Sequence, residues 1–266
     1  MRFSIITICY NEQKNIAKTI ESVLNQTSVD FEYVICDGKS TDNTVEIAKS
    51  YISGFEKKGV PFRIFSEKDD GIYFGMNNGI DRANGDYVMF LNAGDCFYDN
   101  DVLTQLLERT QGKFPEVIYG DCLLIYRGIG DLFKTNHSDI EHGMSMAHPS
   151  TLVRSDVIKD NKFNTDYKIA ADYNMMLDLY MKGFEFLHID IIIAKFYLDG
   201  ISNIEKIKTE QEVCAIQKQH GLQIDEEQMI KNAERAEKKI KLKNKIPLFI
   251  WKFLQTKIKK RQWIED

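Results

Sequence analysis

Five acids, Glu12, Asp37, Asp69, Asp70 and Asp95, each follow an apolar or β-branched run, and a sixth, Asp172, opens a helical pattern further on. Taken singly, such acids belong to turns and caps, because a short carboxylate bonds its own backbone there. Brought together, they could do two kinds of chemistry. Their hard oxygens suit a cation such as Mg2+ or Mn2+, and one of them could take a proton as a general base. The sharpest case is "MFLNAGDCF" (89–97), where a hydrophobic run turns through Asn92, Ala93 and Gly94 straight into Asp95. The glycine lets the backbone turn tightly enough to project that carboxylate into a crevice.

Something must carry these acids to one place. "FSIITIC" (3–9) is apolar on both faces, as a strand covered on both sides should be, and the helix expected over 13–26 repeats Ile16, Ile20, Val23 and Leu24 at helical spacing, with Asn11 as its cap. Strands follow at 31–36, 61–65 and 86–91, separated by helices from "STDNT" (40–44) to about Ser53 and over 71–83. Strand and helix alternating through short connections predicts an α/β fold, a doubly wound and mostly parallel sheet with helices on both faces. Ligands of such a sheet bind at the carboxyl ends of its strands. That rule selects the loops at 10–12, 37–40, 66–71 and 92–95. Beyond residue 100 the pattern predicts helices at 100–110 and 169–182, strands near 116–126, 184–188 and 191–197, a loop-rich stretch at 128–147, and helices at 204–219, 225–242 and 246–261.

Convergent carboxylates would repel an anionic ligand, so a phosphate-bearing substrate needs a divalent cation or basic side chains between them. Two familiar phosphate readers are missing: the chain has no G-x-x-x-x-G-K-[ST], and no G-x-G-x-x-G follows the first strand. That argues against a P-loop NTPase and a Rossmann dehydrogenase. Three segments, "SIITICYNEQKNIAKTIESVLNQT", "YVICDGKSTDNTVEIA" and "SEKDDGIYFGMNNGIDRANGDYVMFLNAGD", resemble in order and spacing the nucleotide-sugar-binding half of the family-2 glycosyltransferases with a GT-A fold. The closest likeness is to bacterial members that build capsule, exopolysaccharide and lipopolysaccharide. The match covers roughly residues 1–200.

The resemblance implies a domain over 1–200, with residues 1–98 binding the nucleotide-sugar and 99–200 the acceptor, followed by a helical extension over 201–266. It implies that Thr7, Tyr10 and Glu12 grip the nucleobase and ribose, that Asp37 contacts the base or ribose, that Asp70, Gly71 and Tyr73 lie over the nucleotide, and that Asn77 flanks the sugar. "NAGD" takes the place of the D-x-D motif, with Asn92, Ala93 and Gly94 leading to Asp95 as the ligand of a divalent cation, Mn2+ or Mg2+. Two positions depart from the pattern. Gly38 stands where many relatives have a second acid, and Ala93 stands where the first aspartate of D-x-D would be. One carboxylate leaves more of the coordination to substrate phosphates and water.

Inverting sugar transfer is an in-line displacement at the anomeric carbon, so a carboxylate must take the proton of the incoming hydroxyl. "KIAADYNMMLDLYMKG" (168–183) places Asp172 on one helical face with Met176 and Leu179, and resembles the acceptor-side segment whose aspartate is the general base. Its alternative is a helix N-terminal acid favoured by the dipole. "AHPSTLVR" (147–154) resembles the preceding segment, and His148 either touches acceptor or phosphate or serves as a structural histidine. The implied donor is a UDP-sugar or similar, and the acceptor a saccharide or lipid-linked saccharide. A catalytically weak or inactive sugar-nucleotide-binding or scaffold protein of the same fold is the alternative the incomplete D-x-D leaves open, and a membrane-surface binding protein acting through its basic tail is a third reading.

The bulk of the chain fits this reading. Five cysteines among 266 residues, widely spaced and without metal-ligand patterns, suggest reduced thiols in the cytoplasm. Neither an export signal nor an apolar run of the roughly 20 residues needed for a membrane span is evident. The net charge of −5 hides an asymmetry: residues 231–266 hold 12 Lys and Arg against 4 Asp and Glu. The mix of lysines with Leu, Phe and Trp over 239–261 suits either the headgroup layer of an anionic membrane, a peripheral place on the inner face of the cytoplasmic membrane, or packing on the domain itself. Nucleic acid is disfavoured, because no nucleic-acid fold accompanies the charge.

Overall fold

A computed structural model describes residues 2–198, 205–259, 261, 263 and 264. Strands β1 (Phe3–Cys9), β2 (Phe31–Asp37), β3 (Phe62–Ser66) and β4 (Tyr87–Phe90) pair in parallel, β1 lying between β2 and β4 with Phe3 opposite both Phe31 and Tyr87. Strands β5 (Cys96–Phe97), β6 (Val117–Tyr126), β7 (Ile129–Phe133), β8 (Thr151–Arg154) and β9 (Phe186–Tyr197) complete a sheet of order β3-β2-β1-β4-β8-β6-β9-β5, with β7 on β6. The parallel character belongs to the first half and to β6–β9. Strand β8 runs antiparallel to both its neighbours, so the second half is mixed.

All seven residues of β1 are buried, and the two-residue period of a strand divides them between two cores. Phe3, Ile5 and Cys9 face helices α1 (Ile16–Leu24), α2 (Thr44–Ser50), α3 (Ile52–Lys58) and α5 (Val102–Arg109). Ile6 and Ile8 face α4 (Ile72–Arg82), α6 (Ser155–Asp160), α7 (Ala171–Met181) and α8 (Lys206–Gln219). Each fully buried Ile or Phe contributes roughly 1.5–3 kcal/mol, so both faces hold the parallel strands firmly. Their carboxyl ends therefore form a rigid edge. Helices α9 (Glu226–Asn244) and α10 (Leu248–Phe253) follow.

Several sequence expectations are corrected. Asn11 caps no helix: it sits at φ 55 and its Oδ1 accepts from the Thr41 amide at 2.8 Å, which ties the first loop to the second, while α1 starts after Asn15. The helix expected to run to Ser53 breaks at Tyr51 and resumes as α3, ending at Gly59 in the left-handed region. The stretch 128–147 holds strand β7, joined to β6 through Arg127 and Gly128, both at positive φ, as a tight primed hairpin turn demands. Strand β8 and helix α6 are additional elements. The two strands expected near 184–188 and 191–197 are one strand, β9, which absorbs a register shift against β6 near Gly120.

The last helix is much shorter than 246–261: α10 covers six residues and a wider π turn, Leu254–Ile258, follows it. Trp251 is buried, the Trp263 backbone bridges to Ile129, and the Ile264 amide donates to Gly128 O, so this end packs on the β6–β7 hairpin. No helix among the described residues is long and apolar enough to cross a membrane. The domain boundary expected at residue 200 lies outside the described residues. All five cysteines are buried and unpaired.

Candidate active site

A cleft of ≈ 550 Å3 opens at the carboxyl ends of β1 and β4, where the two halves of the sheet meet. Its floor is the Asn92–Asp95 turn. The Asp95 amide donates to Asn92 O at 2.9 Å, and Gly94 takes φ 105, a conformation that glycine adopts without strain. Thr19 of α1 locks the turn from below: its hydroxyl donates to Asp95 O at 2.7 Å and accepts from the Gly94 amide at 2.9 Å. Asp95 is only 5% exposed, and its Oδ1 accepts from the Tyr197 amide of β9 at 3.3 Å. Next to it, burial pushes the Cys96 thiol up to about 11, leaving it an inert packing group.

The opposite wall carries Asp172, in the first turn of α7. Tyr73 shares its phenol proton between Ile169 O at 2.7 Å and Asp172 Oδ1 at 3.1 Å, and burial with the nearby carboxylate holds that phenol well above its ordinary range. His148 spans the two sides: Nδ1 lies 3.6 Å from Asp172 Oδ2, and Nε2 lies 3.3 Å from Asn92 Nδ2. Burial lowers the imidazole pKa against the opposing pull of Asp172. With the amide of Asn92 donating to Nε2, the ring proton sits on Nδ1 and faces Asp172 from just beyond hydrogen-bond reach. The approach to Asp172 is fixed by Glu212 of α8, whose carboxylate accepts from the amides of Lys168, Ile169 and Ala170, each at 2.9 Å.

The cleft brings together Tyr10, Glu12, Gly71, Tyr73, Asn92, Ala93, Gly94, Asp95, His148 and Asp172 from the sequence-selected set. Four others lie outside its lining. Thr7 is fully buried, bonded to Tyr33 at 2.8 Å and Leu91 O at 2.6 Å, because it points with Phe3 and Ile5 into the core. Asp37 is 3% exposed and its carboxylate is occupied by Ser40 and Ser66. Asn77 clamps both backbone groups of Phe163, at 2.9 and 3.0 Å. Asp70 is exposed outside the cleft, and its neighbour Asp69 lines it instead, capping the Gly71 amide at 3.2 Å. Burial followed by the charges of Asp37 and Asp70 outweighs that hydrogen bond and raises the Asp69 pKa. A side chain at position 38 would meet Asp69 at 3.1 Å, so Gly38 is what lets that acid turn inward.

Sequence reasoning also missed Asn15, Lys18, Lys168, Phe196 and Tyr197, which line the cleft. Lys18 and Lys168 bring positive charge among these acids. Only Lys18 had a usable cue, since the first turn of the helix after β1 must overlook the sheet edge.

A divalent cation fits this donor set in a limited way. Among the described residues no three His, Cys, Asp or Glu cluster as metal ligands. Asp95 supplies one carboxylate, and Asn92 Oδ1, a second hard oxygen in the same turn, is buried without a partner. A cation held here by Asp95 and Asn92 would complete its shell with ligand phosphates and water.

The half-parallel sheet with its cleft at the strand ends is the GT-A fold. TarS 1–349 of S. aureus in complex with UDP superposes with a TM-score of 0.66, 20% identity and coverage of 86% of this chain and 68% of that one. A mannosyltransferase of Pyrobaculum calidifontis in complex with GDP-Man and Mn2+ gives 0.64, 13%, 97% and 80%. At such identities the likeness is one of fold. The model of glycosyl transferase family 2 matches residues 4–177, and the chain belongs to that family. A PGL/p-HBAD biosynthesis glycosyltransferase of Mycobacterium tuberculosis is 27% identical over 214 residues, 76% of this chain and 79% of its own length.

Proposed function

We propose that this family-2 glycosyltransferase moves a sugar, with inversion, from a nucleotide-diphosphate donor, a UDP-sugar in the favoured case, to a saccharide or lipid-linked saccharide acceptor of a cell-surface glycan. The observation that carries the proposal is the placing of Asp95 and Asp172 on opposite sides of one cleft, bridged by His148 and Asn92. In this reading the donor diphosphate lies over the Asn92–Asp95 turn with Lys18 and Lys168 nearby. A bound Mn2+ or Mg2+ would stabilise the leaving diphosphate as a Lewis acid. Asp172 takes the proton of the acceptor hydroxyl as it attacks the anomeric carbon. His148 lies beside one oxygen of Asp172, and Tyr73 holds the other through its hydroxyl.

The names of relatives support the cell-surface assignment, and neighbours solved with UDP and with GDP-Man support a nucleotide-sugar donor while differing in the base. Transfer and donor-hydrolysis assays with UDP- and GDP-sugars test it. Asp172→Asn is expected to lower kcat by about 10²- to 10⁴-fold, the usual worth of a general base, with donor binding retained. Full activity in both Asp172→Asn and Asp95→Ala rules out these roles. The single acid in the turn favours the second reading, a sugar-nucleotide-binding protein without transfer, which predicts donor-induced stabilisation but no product.

The C-terminal segment supports contact with an anionic membrane. Leu248, Phe249, Phe253 and Ile258 are more than half exposed among the lysines of 239–261. Flotation with vesicles containing phosphatidylglycerol should be strong for the full chain and weak for the Phe249→Ser, Phe253→Ser double variant. Equal flotation removes the contact.

A further inference from the structure

A second cavity, ≈ 420 Å3, lies between the β6–β7 hairpin, Leu198 just after β9, the end of α9 and α10. Its size is that of a small-ligand pocket. The polar side chains lining it are almost all engaged. Arg127 donates to Lys243 O and to Ile246 O, closing the carboxyl end of α9, Arg261 pairs with Asp131, and the Tyr126 hydroxyl donates to Asn244 at 2.6 Å. Two groups are left over. Trp251 is 4% exposed, yet its indole Nε1 is buried with no partner. The Lys243 ammonium has no hydrogen-bond acceptor or carboxylate partner among the described residues and sits 5.8 Å from the Tyr126 ring and 5.9 Å from the Trp251 ring. Burial first, then the charges of Lys239 and Lys259, lower its pKa.

Both leftover groups are donors, and one of them is a cation in a cationic neighbourhood. Their complement is therefore a ligand of acceptor oxygens carrying negative charge, which an unpaired buried donor makes costly to leave out. Neutral sugars are a poor match, since they bring donors that would find no free acceptor. The exposed Leu248, Phe249 and Phe253 stand on the same short helix as Trp251, so an anion seated here would have an apolar surface beside it.

We propose that this cavity is a phosphoryl-anion site that takes the headgroup of an anionic phospholipid, with Lys243 and the Trp251 indole as its donors. The proposal rests on the membrane-contact reading of the C-terminal segment and sharpens it from a basic surface to a defined pocket.

The chain has two tryptophans, Trp251 in the cavity and Trp263 packed against Gly128, so intrinsic fluorescence reports on this region alone. The full chain is titrated with monomeric dihexanoyl phosphatidylglycerol, its phosphatidylcholine counterpart and inorganic phosphate. A saturable change with the anionic lipid is expected, weakened about tenfold in Lys243→Gln, the worth of one charged hydrogen bond. Circular dichroism and sugar transfer in that variant should be unaltered. Saturation by inorganic phosphate at equal affinity overturns the lipid source and leaves a free-phosphate site. No saturable change with any of the three, or equal binding in Lys243→Gln, overturns the pocket. Because the lipid is monomeric, flotation lost in the Phe249→Ser, Phe253→Ser variant with its fluorescence titration intact separates failure of the bilayer contact from failure of the pocket.

Discussion

His148 joins the two sides of the cleft as a neutral ring, and its cost is visible in pH dependence. Burial holds its folded pKa below the ordinary 6.5, so as pH falls through 6.5 the unfolded chain takes a proton that the folded one refuses. Stability is therefore fully present above pH 6.5 and declines toward the lower folded value. His148→Gln removes the titration, and its unfolding free energy should fall less steeply between about pH 7 and pH 5 than that of the parent. Equal slopes would show that folding does not lower the pKa of the ring. Lys18 gives a second test at this scale. A lysine meeting a diphosphate is worth about 1.5–3 kcal/mol, so Lys18→Ala should raise the donor KM about 10- to 100-fold with a smaller change in kcat. An unchanged KM would move the diphosphate away from α1. Which residues reach the cleft was only partly legible. Glu12, Asp95 and Asp172 follow from residue type and strand order, whereas Thr7 fails because the period of two turns it into the core. Asp69 replaces Asp70 because Gly38 makes room, a contact between loops that no local pattern encodes.

Elements decide how firmly Asp172 is aimed. The segment leading into helix α7 presents three successive backbone amides, those of Lys168, Ile169 and Ala170, and Glu212 of α8, some 40 residues on, accepts all three. It pins the turn that enters α7 and adds a favourable charge near the positive end of the helix dipole. Glu212→Ala should cost about 1–3 kcal/mol, the usual scale of leaving a buried donor without its acceptor. It should also lower kcat more than the donor KM, since Asp172 would keep its chemistry but lose its aim. Glu212→Gln retains an accepting oxygen and should recover most of the kcat, and failure to recover would point to charge, not geometry. The parallel half of the sheet was legible because β1, β2 and β4 are buried on both faces and α1 carries a clean apolar stripe. The second half was not. Strand β7 follows a turn through Arg127 at φ 49, a residue that rarely signals a primed turn, and β9 keeps one continuous course through a register shift.

The whole molecule combines a rigid sheet with a terminal segment that is attached in a different way. Trp251 is buried against Tyr126 in an edge-on contact at 5.8 Å, while Phe249 is 75% exposed and Phe253 57%. Helix α10 thus shows one aromatic inward and two outward. Removing the inward one costs docking energy. Trp251→Ala would lose about 3–5 kcal/mol in a closed core. Here the cost is capped by the free energy of detaching the segment, because the β1–β4 core does not depend on it. The expected result is faster amide exchange over 246–259 and around β7, with the main thermal transition and the exchange of β1 and β2 unmoved. Phe249→Ser with Phe253→Ser should alter neither, since solvent-facing substitutions typically stay within about 0.5 kcal/mol. Should Trp251→Ala instead lower the main transition by many degrees, the segment would be part of the catalytic domain's own fold, and its exposed phenylalanines would have to be explained without a detachable arm.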